Sequence, residues 1–197
     1  MPTPSQSWDV MFVYWALAAP LFPRYMSSAS PPLSNFPLMA AALAVTILQQ
    51  VLYFKRTTTA ERPLSLFALV VFPVVNGVLE TFLFFLAFDT GVHLAPSPAA
   101  QFLSGFLVFS LYSGLIRAFM WDKLVFPKHI NKTSPISLGL MLEGLTLMSF
   151  TWMLLYFKYR AVKCVILLHI LTDICACLAI HLPPPWDGEV KCEVKTH

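Results

Sequence analysis

Charge is what this sequence has least of. Asp, Glu, Lys and Arg make up 12% of its 197 residues, against roughly 25% in a soluble domain. With 57% hydrophobic residues and a mean hydropathy of +0.69, that shortage excludes an ordinary soluble domain and points to an integral membrane protein. A basic patch is also missing. The Lys and Arg residues stand between apolar runs, so no nucleic-acid partner is expected. The four cysteines form no CxxC, and three of them share one apolar run, which argues against a disulfide framework. Cys192 lies too far from the end to make a C-terminal lipidation box. The first seven residues carry no Lys or Arg, so the apolar stretch 8–22 is a poor signal peptide, although Ala16-Leu17-Ala18 mimics a cleavage site. No internal repeat supports a transporter pathway. No HExxH or similar spacing supports a metal site, and no cofactor is expected.

What the chain does have is long apolar runs. They predict an all-α membrane protein, a bundle of about six transmembrane helices at residues 8–22, 36–54, 64–88, 99–120, 136–157 and 164–182. The first of these is short or tilted and ends near Pro20 and Pro23. Residues 1–35 read as an N-terminal span and linker, 36–182 as the membrane core, and 183–197 as a polar tail. Loops on one side carry eight Lys/Arg against four on the other, which predicts both termini cytoplasmic, or stromal in an organelle.

The run 64–88 organises the rest because it contains one carboxylate, Glu80. A charge at the bilayer centre costs about 3 kcal/mol or more, so such residues face a bundle interior. Asn76 lies one helical turn before Glu80 on the same face, with Gly77 beside it, and Pro73 removes a backbone hydrogen bond a turn earlier. Two readings stay open for Glu80: glue between helices, or part of an active site. In the last span His169 and Asp173 stack one turn apart, with Thr172 adjacent. A rise of about 1.5 Å per residue puts Glu80 roughly 12 Å, Asp173 roughly 13 Å and His169 roughly 8 Å from the same end, close enough to meet. Ser113, which shares a face of the fourth span with Ser110 and Arg117, falls deeper at roughly 21 Å. Arg117 reads as snorkelling to the headgroups, Glu143 as pairing with a neighbouring helix or with Arg117, and His93, His129 and His181 as interfacial.

The order and spacing of these polar residues resembles the CAAX protease and bacteriocin-processing (CPBP) family of intramembrane glutamic proteases. That family carries Glu-Glu-x-x-x-Arg, Phe-x-x-x-His and His-x-x-x-Asn/Asp in that order on three separate helices. The third motif stands here as His169-Ile170-Leu171-Thr172-Asp173. The first aligns with Glu80-Thr81-Phe82-Leu83-Phe84-Phe85, keeping the leading Glu, with Thr81 and Phe85 replacing the second Glu and the Arg. The second aligns with Phe109-Ser110-Leu111-Tyr112-Ser113, where Ser113 replaces the His.

The resemblance implies a family site at Glu80, His169 and Asp173, with Thr81, Phe85 and Ser113 as degenerate positions. It also implies that Ser113 projects into the chamber holding Glu80 and His169. In the family, the Glu and His residues activate a water for attack on a peptide carbonyl. Each missing base or oxyanion donor lowers such a rate about a hundredfold or more. Two function classes follow. One is a non-catalytic relative that binds or stabilises another membrane protein or membrane-bound peptide in the lipid bilayer. The other is an active endopeptidase that cleaves prenylated CaaX or leader peptides.

Overall fold

Helices are the only way for an apolar chain of this kind to satisfy its backbone in lipid, short of a closed barrel. The computed structural model describes residues 4–27, 36–57, 63–116 and 134–186, and among them the elements are helical, with no strand. They are α1 (Pro4–Ala18), a 3-10 turn (Ala19–Leu21), α2 (Phe22–Met26), α3 (Phe36–Arg56), α4 (Leu66–Val92), α5 (Pro98–Ile116), α6 (Leu138–Tyr159) and α7 (Val162–Ile180). Five of them, α3 to α7, are long and apolar enough to cross a membrane. The protein is therefore a multi-pass helical membrane protein. The first expected span takes a different form. The α1 helix has 15 residues, and prolines 20 and 23 break the chain into the 3-10 turn and α2 before it ends.

Packing centres on α4, which lies against α5 on one side and α7 on the other, while α1 and α2 run along it and α3 packs on α6 and α7. Trp8 sits by Phe67 and Phe72 near the start of α4, and Tyr25 stacks on Phe82 further along, so the broken helix runs in the same direction as α4. Small residues set the closest approaches, as is usual between helices in lipid. A Cβ on Gly91 of α4 would lie 2.7 Å from the Gly105 Cα of α5, and one on Gly105 would lie 2.9 Å from the Phe88 carbonyl oxygen. Outward faces are apolar, as a lipid solvent requires. Leu103, Leu107, Leu111 and Leu115 form an exposed stripe at four-residue spacing on α5, and Leu43, Ile47, Leu48 and Val51 are exposed on α3.

Helix α4 starts at a side-chain cap, where Ser65 accepts from the Ala68 N–H at 3.2 Å, and runs without interruption through Pro73. It also runs further than the sequence suggested. The apolar run stops at Phe88, but the helix continues to Val92, so Asp89 is a buried helical residue and not a loop residue. Its carboxylate accepts from the Tyr156 hydroxyl at 2.8 Å and the Tyr25 hydroxyl at 3.3 Å, and pairs with Arg160 at 3.2 Å and Arg24 at 3.8 Å. Both guanidinium side chains are more than half exposed, so the ion pairs add little; the phenols tie α2, α4 and α6 together. Arg160 itself adopts a left-handed conformation (φ 50°) that ends α6 and turns the chain into α7.

Candidate functional site

A buried polar cluster lies where α1, α4, α5 and α7 meet. Glu80 of α4 and His169 of α7 are each 4% exposed, and Asp173 of α7 is 8% exposed. His169 Nε2 stands 3.4 Å from Glu80 Oε2 and 3.8 Å from Asp173 Oδ1. Asn76 bridges the two acids, donating from Nδ2 to Glu80 Oε2 at 2.8 Å and to Asp173 Oδ2 at 3.0 Å. Its own Oδ1 accepts from the Trp15 indole at 2.9 Å. Glu80 Oε1 accepts from the Tyr14 hydroxyl at 3.3 Å, and that hydroxyl shares a 2.9 Å hydrogen bond with the Tyr112 hydroxyl of α5.

Thr81 fixes the other face of the imidazole. Its Oγ1 lies 2.8 Å from His169 Nδ1 and also donates to the Gly77 carbonyl one turn back. A hydroxyl has one proton to give. With that proton on Gly77, Thr81 accepts from an Nδ1–H; with it on His169, Nδ1 is the acceptor, so the tautomer sets the direction of this bond. Nε2 is the nitrogen that faces the two carboxylates. Rings hold the imidazole in place as well: Phe84 stacks on it with centroids 5.3 Å apart, and Trp152 lies 5.5 Å away, donating its own N–H to Thr46 at 2.9 Å.

The close contact of α4 and α7 makes this geometry possible. A Cβ on Gly77 would come within 2.9 Å of the Ile170 backbone nitrogen, so only glycine lets the two helices cross there. Chemically, the cluster joins an imidazole to two acids, and each acid oxygen named above has a donor or an imidazole beside it. Separately, Gln50 of α3 donates to Thr172 of α7 at 3.3 Å, a second polar tie between helices. Among the described residues, no group of three or more His, Cys, Asp or Glu has the geometry to hold a metal ion.

Glu80, His169, Asp173 and Thr81 are thus brought together. Phe85 and Ser113 are not. Phe85 is fully buried and stacks on Tyr156 at 3.9 Å, towards the Asp89 end. Ser113 is half-buried, and among the described residues no hydrogen bond joins it to Glu80 or His169. The α5 side chain that reaches the cluster is its neighbour Tyr112, while Phe109 packs edge-on against Phe84 at 5.2 Å. Glu143 is exposed on α6, and His93 and His181 cap the ends of α4 and α7. Arg117 and His129 lie outside the described residues.

Tyr14, Trp15 and Tyr112 are the participants that sequence reasoning missed. Aromatic residues with a polar tip are usual at membrane boundaries, so nothing in their type signals an interior role. For Gln49 and Gln50 there was a signal, a pair of amides inside an apolar run. Gln50 reaches Thr172, and Gln49 Oε1 is buried against Gly144 without a hydrogen-bond partner.

Fold and site together define a polytopic helical membrane protein with a buried carboxylate–imidazole cluster at its centre. Compared with models of known protein families, with characterised proteins and with solved structures, the chain matches none.

Proposed function

We propose that this chain is a catalytically degenerate relative of the CPBP intramembrane proteases, and that it works by binding or stabilising another membrane protein. The observation that carries the reading is the state of Glu80. One of its oxygens accepts from Tyr14, the other accepts from Asn76 and faces His169, and the residue is almost wholly buried. A general base must be free to take a proton from a water in the site, and an oxyanion needs donors that are not already engaged. Here the donors are spent on the acids, and in the alignment Thr81 and Ser113 stand where the family motifs carry a second carboxylate and a second imidazole. Such a network suits holding four helices in one arrangement better than turnover. The protein's role then lies in the surfaces those helices present to a membrane-embedded client. The loop-charge bias supports cytoplasmic termini, and a reporter fused at His197 that reads as exported would refute that placement.

The alternative, an active endopeptidase, draws on the same imidazole standing beside two carboxylates. Purified protein separates the readings. We expect no cleavage of a prenylated CaaX peptide or of a leader-type peptide in detergent. We also expect recovery of a stoichiometric membrane-protein partner in mild detergent, whose level falls when this chain is removed from the cell. Turnover that disappears in Glu80→Gln would restore the protease reading and end the degenerate one.

A further inference from the structure

We propose that the groove between α5 and α6, at the Asp89 end of the bundle, is a binding site for one acyl chain of an anionic phospholipid. The groove has a volume of about 410 Å³ and is walled by Phe102 and Leu103 of α5 and Leu154 and Phe157 of α6, with Lys158 at its mouth. It exists because α5 leans on α4, where Gly91 and Gly105 bring the two helices together, and touches α6 only lightly. Phe102 meets Phe157 at 5.6 Å and Phe150 at 5.1 Å, closing the floor with aromatic rings.

Size and charge select the occupant. One turn of an α-helix about 10 Å across and 5.4 Å tall fills roughly 420 Å³, so a partner helix would enter by no more than a turn. A flexible hydrocarbon chain has no such limit, and it has no polar groups that the apolar walls would leave unpaired. Lys158 marks the headgroup end. It is exposed at the end of α6, Arg160 follows in the turn and Lys163 in the first turn of α7. Among the described residues the acid at this end is Asp89, which is buried and already bonded to Arg160. The rim is therefore cationic, which favours a phosphate without a compensating positive charge.

Photolabelling of the intact protein in phosphatidylcholine vesicles tests this. The probes are phosphatidylglycerol and phosphatidylcholine, each carrying a diazirine on one acyl chain at trace level. Phosphatidylglycerol should label Phe102, Leu103, Leu154 or Phe157 in preference to the exposed leucines of α3. Labelling of the groove by phosphatidylcholine should be roughly fivefold lower, the ratio that about 1 kcal/mol from Lys158, the one basic residue lining the groove, gives. Lys158→Glu should bring phosphatidylglycerol down to the phosphatidylcholine level, and Leu103→Trp, which fills the groove, should remove labelling by both. Label spread evenly over the exposed faces, or equal labelling of the groove by the two headgroups, would overturn the proposal. Lys158→Glu lies at an exposed helix end, so it remains decisive if Leu103→Trp does not fold.

Discussion

Asn76→Leu should destabilise the protein by about 2–5 kcal/mol, although leucine matches asparagine in size and belongs in a membrane helix. Asn76 is 1% exposed and serves three partners at once: it donates to Glu80 and Asp173 and accepts from Trp15. Leucine ends all three bonds and leaves two carboxylates without their shared donor. A hydrogen bond to a charged group is worth about 1.5–3 kcal/mol, whereas bonds measured between membrane helices average about 0.6 kcal/mol. The lower figure taken three times sets the bottom of the range, and two charged bonds near the higher figure set the top. Thermal or denaturant unfolding in detergent reads the change. Ser113→Ala is the matched control. It alters a half-buried polar residue on α5 that has no bond to the cluster, and it should shift stability by less than about 0.5 kcal/mol. A second measurement checks the wiring. Glu80→Gln combined with Asn76→Leu should fall short of the sum of the two single effects, because the first removes the charge on the acceptor and the second the donor of the same bond. Near-neutral behaviour of Asn76→Leu would mean that the Asn76 bridge does not form.

Much of this site was legible without coordinates, for a simple reason. A polar residue in an apolar helix must point inward, and helical rise converts its position into a depth. Depth alone brings Glu80, His169 and Asp173 to one level, and the three are in fact neighbours. The same count puts Ser113 too deep, while the motif alignment puts it in the chamber. The α4/α5 register goes against the count, since Phe88 meets Gly105 and Phe84 meets Phe109, which sets Ser113 near the level of Glu80. Yet Tyr112, not Ser113, is the α5 side chain that bonds into the cluster. The limits of the helices were less legible, because hydropathy ends where charge begins but a helix need not. Asp89 shows this: its carboxylate is carried inside the bundle end by partners from α2, α6 and the turn after α6. Least legible was α1. A 15-residue helix broken by prolines reads as a weak first span outside the core, yet it brings Tyr14 and Trp15 into the cluster. Nothing local in residues 4–18 predicts that, because the partners lie more than 60 residues away.

Gly77→Ala should be almost as damaging as losing Asn76, although one methyl group is all that changes. In an open helix the substitution would help, since alanine is a better helix former by about 1 kcal/mol. At Gly77 the new Cβ would stand 2.6 Å from Ile170 Cγ1, 2.9 Å from the Ile170 nitrogen and 3.0 Å from its Cα. A side chain can rotate away, but backbone cannot, so α7 must move off α4. Overpacking of this kind costs about 1–3 kcal/mol. The movement occurs one turn from Thr81 and Glu80, so it also draws His169 away from both. Gly77→Ala and His169→Ala should therefore be strongly non-additive in a double-mutant cycle, since the first already removes much of what the second would lose. Gly114→Ala provides the contrast: a Cβ there meets nothing within 4 Å, and that variant should be neutral or slightly more stable. Gly91→Ala, facing the Ser104 and Gly105 backbone, should lose stability like Gly77→Ala but remain additive with His169→Ala, because it separates α4 from α5 and leaves α7 in place. If Gly77→Ala proves as harmless as Gly114→Ala, then α4 and α7 do not cross at Gly77, and the approach that joins Glu80 to His169 is wrong.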